Sequence, residues 1–253
     1  MRILNPLFIA FSTYSRIPVP KVEWTDENRR LTMCFFPLIG VCVGIALTLW
    51  LALCDGLKIG AMLRGVIGAM LPLLISGGIH MDGFMDTCDA LASWQTKERR
   101  LEILKDSRVG AFAVMGCCGY LLLDAAVFSE ATLHDAPMLT CVFVISRTLS
   151  AWLMTALKSA RPGGMLDGFA RTAAVNRVTV SGIVYAAICM IVWILCGGWL
   201  GAVCAAVAAL CAFGYKRMAY RQFGGVTGDL AGCFLQITEL CLTAAIVIGG
   251  KFL

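Results

Sequence analysis

From Val180 to Tyr215 the chain runs without a charged side chain. A helix crosses the hydrocarbon core of a bilayer with about 20 apolar residues, so this run is long enough for two crossings and too long for a soluble core to hide. The rest of the chain is similar in kind: 59% of residues are hydrophobic, 15% are charged, and the mean hydropathy is +0.82. Those values exclude an ordinary water-soluble domain. They predict an all-α polytopic membrane protein with about seven transmembrane helices, placed at 33–53, 59–79, 109–128, 137–157, 180–196, 199–215 and 230–250 within a single integral-membrane domain over 1–253. The long run is divided at Cys196-Gly197-Gly198-Trp199, because glycines are common in tight turns.

Lys and Arg favour cytoplasmic loops, and here they gather in alternate segments. Arg2, Arg16, Lys21, Arg29 and Arg30 precede the first span; Lys97, Arg99, Arg100, Lys105 and Arg108 follow the second; Lys158, Arg161, Arg171 and Arg177 follow the fourth; Lys216, Arg217 and Arg221 follow the sixth. The opposite segments hold little beyond Lys58, Arg64 and Lys251. The pattern places the N-terminus in the cytoplasm, and the net charge of +5 reflects topology, not nucleic-acid binding. Met1–Pro20 has no small-residue cleavage site and is expected to form a short interfacial helix stopped by Pro18 and Pro20. The thirteen cysteines are scattered through apolar runs with no C-x-x-C pair, so they are expected to pack as small hydrophobes.

Against this apolar background stands Gly77-Gly78-Ile79-His80-Met81-Asp82-Gly83-Phe84-Met85-Asp86-Thr87-Cys88-Asp89. In a helix, Asp82, Asp86 and Asp89 fall at i, i+4 and i+7 and share one face. Three carboxylates so placed repel one another unless a cation sits between them, and oxygen-only ligands favour a hard ion such as Mg²⁺. A solvated helix end, with acids drawn to the helix N-terminus, explains the acidity but not the spacing. His80 can bind a phosphate, carry a proton, or be a hydrogen-bonded boundary residue. The run Lys105-Asp106-Ser107-Arg108 offers cations for phosphates and an acid for a metal or hydroxyl. Arg147 lies in an apolar span, where a cation needs a polar cavity or a partner, Asp124 and Glu239 being the intramembrane acids available. Asp229, after Thr227-Gly228, suits a metal or ribose contact better than the second acid of an intramembrane aspartyl protease. The loops 80–108, 158–179 (with the turn Ala160-Arg161-Pro162-Gly163-Gly164-Met165) and 224–229 all fall on the cytoplasmic side, where the active site is expected.

The block 77–89, followed by Leu101-Glu102-Ile103-Leu104-Lys105-Asp106-Ser107-Arg108-Val109-Gly110, closely resembles the cobalamin synthase family, the adenosylcobinamide-GDP ribazoletransferases. Arg16-Ile17-Pro18-Val19-Pro20, Phe36-Pro37-Leu38-Ile39-Gly40, Ser146-Arg147 and Thr227-Gly228-Asp229 resemble further family segments in the same order, with Ala90 where members often have Gly. The resemblance implies that the cobinamide phosphate of adenosylcobinamide-GDP passes to α-ribazole or its 5′-phosphate, giving adenosylcobalamin or its 5′-phosphate and GMP. It also implies Mg²⁺ dependence and a multi-pass location in a prokaryotic inner membrane, in contact with lipid and open to homo-oligomer formation. On that reading Asp82, Asp86 and Asp89 hold the metal, and Asp82, Asp89 and Asp106 are catalytic, Asp89 or Asp106 accepting the hydroxyl proton. His80, Lys105, Arg108, Arg147 and Asp229 bind substrate. A CDP-alcohol phosphotransferase, the alternative, would carry D-G-x-x-A-R where this chain has Asp82-Gly83-Phe84-Met85-Asp86-Thr87. A transporter would use Asp124, Arg147 and Glu239 as an ion path.

Overall fold

The computed structural model describes residues 4–161 and 174–252. These residues are almost wholly helical: α1 (Asn5–Tyr14), α2 (Asp26–Arg29), α3 (Thr32–Leu57), α4 (Ala61–Ser76), α5 (Ile79–Ala92), α6 (Lys97–Ile103), α7 (Ala111–Ser129), α8 (Ala136–Ala156), α9 (Val175–Gly197), α10 (Trp199–Phe223) and α11 (Gly228–Gly249). Among the described residues six helices are long and apolar enough to cross a membrane: α3, α7, α8, α9, α10 and α11. The count reaches seven when the pair α4–α5 is taken as one interrupted crossing, in which α4 supplies the crossing part and a 99° bend turns α5 across the end of the bundle. The chain is therefore a multi-pass membrane protein.

Two expectations shift in detail. The second span does not run through 79 but stops at Ser76, because Gly77 and Gly78 take left-handed conformations (φ 68° and 79°) that an L side chain rarely adopts. Much of the segment read as loop 80–108 is accordingly helix, α5 and α6. The division of the long apolar run holds: Gly198, at φ 53°, separates α9 from α10. The turn 162–165 and Arg171 lie outside the described residues.

Helix α8 is the centre of the bundle, with 78% of its apolar stretch buried, and α11 follows at 67%; α9 has only 17% buried. The outer faces carry exposed Leu49, Leu122, Ile183, Leu195 and Phe213, which suits contact with lipid tails and would be costly in water. The thirteen cysteines are all free.

Backbone and side-chain contacts sort the connections to opposite ends. At one end the Arg16 N–H donates to the Ile75 carbonyl (2.7 Å), Lys158-Ser159-Ala160 pairs with Val226, and Lys97 Nζ reaches the Tyr220 carbonyl (3.4 Å). At the other, Trp50 Nε1 donates to the Arg64 carbonyl (3.0 Å) and Lys251 Nζ pairs with Glu130 (2.9 Å). The three loops expected to converge, as far as they are described, do so at the first end.

In the interior, Arg147 on α8 and Glu239 on α11 form an ion pair with Nη1 2.6 Å from Oε1, both side chains at most 5% exposed. Nη1 of Arg147 also donates to the Phe143 carbonyl (2.9 Å), and the Ser146 hydroxyl donates to the same Glu239 oxygen (2.7 Å). Of the two acids available to Arg147, it is therefore Glu239 that takes it. Breaking such a pair leaves a bare buried charge, which costs about 3–5 kcal/mol, whereas replacing both partners by apolar residues is close to neutral. Arg147→Leu should lower thermal stability in detergent by that order, and Arg147→Leu/Glu239→Leu should recover most of it; equal losses in the single and double variants would contradict the pairing.

Candidate active site

The local sequence builds the site from α5 outward. Gly77-Gly78 ends α4 and starts α5, so His80, Asp82, Asp86 and Asp89 stand on a helix that runs across the end of the bundle. Its buried side, with His80, Gly83 and Thr87, lies against the first turns of α11. The approach is that of backbone on backbone. A Cβ at Gly83 would lie 2.6 Å from the Asp229 carbonyl oxygen, and a Cβ at Gly232 would lie 2.9 Å from the His80 carbonyl oxygen. Thr227 caps α11 by accepting from the Leu230 N–H (3.2 Å), which leaves Asp229 in the first turn where the helix dipole favours an acid.

A cavity of about 290 Å³ opens at this contact, with Tyr14, Phe36, His80, Met154 and Gly232 among its walls and Asp82, Arg161 and Asp229 among its charged residues. Arg161 is held there by the parallel bridge between Ser159 and Val226: the Val226 N–H donates to the Lys158 carbonyl and the Ala160 N–H to the Val226 carbonyl, each at 2.9 Å. Its Nη2 donates to the Leu101 carbonyl (2.5 Å), its Nη1 stands 3.5 Å from Asp229 Oδ2, and its Nε is buried without a partner. That Nη1 contact is long for an ion pair and leaves the guanidinium free to take a stronger anion.

The acids differ in environment. Burial, followed by repulsion from Asp82, Asp229 and Asp89 and opposed only by Arg161, pushes Asp86 up to about 6. Asp89 is engaged otherwise: its two oxygens accept from the Gly110 N–H (2.7 Å) and the Ala113 N–H (2.8 Å), so it caps α7. Among the described residues no three His, Cys, Asp or Glu side chains are already drawn together as a metal cage. Mg²⁺ does not require one, since it commonly keeps waters and binds through one or two carboxylates together with substrate phosphates. The all-oxygen donors Asp82, Asp86 and Asp229 fit such an ion, and Asp89 has the least free oxygen to offer it.

The other candidates separate from the cavity. Asp106 accepts from the Arg108 backbone N–H (3.1 Å), Nε (3.0 Å) and Nη2 (2.6 Å), and this guanidinium holds its carboxyl down at about 2, which makes it a poor proton acceptor. Lys105 and Arg108 are exposed at the same end but do not line the cavity. Arg147 does not line the cavity; it lies over the Phe36 ring at 6.0 Å, its charge paired with Glu239. Burial and the charge of Arg147 lower His80 to about 3, so its ring is neutral and its Nε2 is buried with no partner. Sequence reasoning counted Arg161 only as a loop cation. The signal was present, a basic residue just after the fourth span, but its partner Asp229 lies in a different loop.

The family model described as cobalamin-5-phosphate synthase matches residues 6–247. The chain belongs to this family. An adenosylcobinamide-GDP ribazoletransferase of Lachnoclostridium phytofermentans is 44% identical over 248 residues, covering 98% of this chain and 95% of that one. The enzyme of the same name from Geotalea daltonii is 35% identical over 260 residues (99% and 100% covered), and that of Clostridium botulinum strain Alaska E43 is 30% identical over 243 (94% and 95%). No solved structure matches.

The capping role of Asp89 has a direct consequence. Asp89→Ala removes the acceptor of two N–H groups at the start of α7, which should cost about 1–2 kcal/mol of thermal stability. An unchanged melting temperature would show that the α7 N-terminus does not depend on it.

Proposed function

We propose that this protein is an adenosylcobinamide-GDP ribazoletransferase that works with Mg²⁺ at the cytoplasmic face of a prokaryotic inner membrane. Membership of the family, with relatives of that name aligned along nearly the whole chain, supports the reaction. The observation that carries the site is the backbone contact of α5 with α11, which brings Asp82 and Asp229 to one cavity with Arg161 between the loops. The clustering of basic residues at that end of the bundle supports the orientation.

In the reaction a ribose hydroxyl of α-ribazole, or of its 5′-phosphate, attacks the phosphorus attached to cobinamide. The bond from that phosphorus to the GMP oxygen breaks, GMP leaves, and the hydroxyl proton passes to a carboxylate. Phosphoryl transfer asks the protein mainly for positioning and charge stabilisation. Arg161 is the cation inside the cavity, able to leave its 3.5 Å contact with Asp229 for a phosphate oxygen. Lys105 and Arg108, exposed at the same end, are available to the rest of the diphosphate. Asp82, Asp86 and Asp229 would hold Mg²⁺, which when bound supplies Lewis-acid stabilisation of the charge on phosphate and leaving oxygen. With Asp89 occupied at α7 and Asp106 held ionised by Arg108, the hydroxyl proton would go to an oxygen of Asp82 or Asp229, the acids lining the cavity, that is not turned to the ion.

Purified protein given adenosylcobinamide-GDP and α-ribazole should release GMP and the completed corrinoid in equal amounts. EDTA should stop both, and added Mg²⁺ should restore them. Asp82→Asn and Asp229→Asn should each lower kcat by about 100-fold or more, the size typical of lost charge stabilisation in a transition state. Turnover that survives chelation, or near-normal kcat in Asp82→Asn, would refute the assignment.

A further inference from the structure

Away from the cavity, at the same end of the bundle, the outward face of α10 changes character within one turn. Leu210, Phe213, Arg217 and Arg221 recur at i, i+3, i+7 and i+11 and so share one side of the helix. Leu210 and Phe213 are exposed, as lipid-facing residues are, and beyond them Lys216, Arg217, Tyr220 and Arg221 are exposed as well. Charge therefore begins where the apolar surface stops, at the depth of the lipid headgroups.

Tyr220 draws in cations from two further segments. Its carbonyl accepts from Lys97 Nζ (3.4 Å) at the start of α6, and its hydroxyl accepts from the Lys158 N–H (3.1 Å) in the strip after α8. Arg100 holds α6 against this end of α10 by donating to Gln222 Oε1. The acids of α6 are engaged otherwise: Glu102 pairs with Arg99 (2.6 Å), and Glu98 accepts from the Thr96 hydroxyl at the helix start. Among the described residues no carboxylate pairs with Lys158, Lys216, Arg217 or Arg221. Trp94, three residues before Lys97, is 89% exposed and stands at φ 52°, a backbone conformation that bulky residues rarely adopt. A bare indole of this kind is at home at the boundary of lipid and water.

Topology alone asks for cations at this end of the bundle, but not that three segments bring them together on one tyrosine beside a lipid-facing stripe. A soluble anion would meet the cations and leave Trp94, Leu210 and Phe213 without a role. A phospholipid uses both, with its phosphodiester among the cations and its chains along α10. We propose that Lys97, Lys216, Arg217 and Arg221, with Tyr220 and Trp94, form a site for the headgroup of an anionic phospholipid whose acyl chains lie along Leu210 and Phe213. The site is separate from the cavity and makes no use of the proposed reaction. Through the Lys158 contact with Tyr220 it anchors the strip that delivers Arg161.

The test is a titration of the purified protein, freed of lipid in a neutral detergent, with phosphatidylglycerol, with phosphatidylcholine of the same chains, and with glycerol 3-phosphate. A ligand that binds the folded state raises the melting temperature, so the concentration giving half the full rise reports affinity. Phosphatidylglycerol should raise it at lower concentration than phosphatidylcholine, and glycerol 3-phosphate should not raise it. Each Lys or Arg beside an anionic surface is worth about fivefold in affinity. Arg217→Gln/Arg221→Gln should therefore need about 25-fold more phosphatidylglycerol, whereas Lys21→Gln/Arg30→Gln, which removes as much charge from the same end, should need no more than the parent. No rise with phosphatidylglycerol, an equal response to phosphatidylcholine, an equal rise with glycerol 3-phosphate, or equal losses in the two double variants would each overturn the proposal. No transfer is measured, so a parent that prefers phosphatidylglycerol yet releases no GMP would sink the proposed reaction and leave this site standing.

Discussion

The site depends on how closely two backbones can approach. Helix α5 meets α11 with nothing larger than hydrogen at Gly83 and Gly232, each facing the other helix's main chain. This contact joins acids that are far apart in sequence, Asp82 and Asp86 on one helix and Asp229 on the other. It also places the His80 ring in the cavity wall while its carbonyl faces Gly232. Burying a carboxylate and holding like charges together at a bundle end are both costly, and burial first, then the neighbouring acids, push Asp86 up. A rigid contact with no side chain to yield is what keeps them from drifting apart.

The rest of the bundle serves that contact. Helix α11 carries Asp229 in its first turn and Glu239 further along, so the ion pair with Arg147 that ties it to α8 also fixes where α11 begins relative to the cavity. Helix α8, which ends at Ala156, leads into Lys158-Ser159-Ala160, the strip that pairs with Val226 and delivers Arg161. Asp89 closes the arrangement on the other side by capping α7 and so anchors the Lys105–Gly110 segment to the end of α5. One helix thus uses its three acids differently: the first faces the cavity, the second is surrounded by charge, and the third holds a neighbouring helix.

Much of this was legible in the chain. Apolar runs near the length of a bilayer core placed the long helices, and the alternating cations sorted the loops to the ends at which the structure shows them. The spacing of Asp82, Asp86 and Asp89 correctly put them on one helix. Spacing along a helix says nothing, however, about what stands opposite each residue, so the N–H groups of Gly110 and Ala113 that occupy Asp89 were invisible, as was the pairing of Asp106 with Arg108. The break at Gly77-Gly78 was missed because an apolar window averages over two residues whose backbone conformation, not polarity, ends the helix. Arg147 was seen to need a partner, but only packing of α8 on α11 could select Glu239 over Asp124. Arg161 and the ring cluster of Tyr14, Phe36 and His80 were hidden for the same reason, their neighbours being brought by tertiary contact alone.

The shared site therefore depends on the closeness of α5 and α11. The most direct measurement is the rate of GMP release by Gly83→Ala, checked by its elution as a folded protein in detergent. The added methyl would have to push the Asp229 main chain away, and a displacement of about 1 Å at reacting groups can cost about 100-fold in rate. A folded variant with its transfer rate reduced to that degree is the result expected. A folded Gly83→Ala protein that turns over as fast as the parent would show that the acids of the two helices do not act as one site.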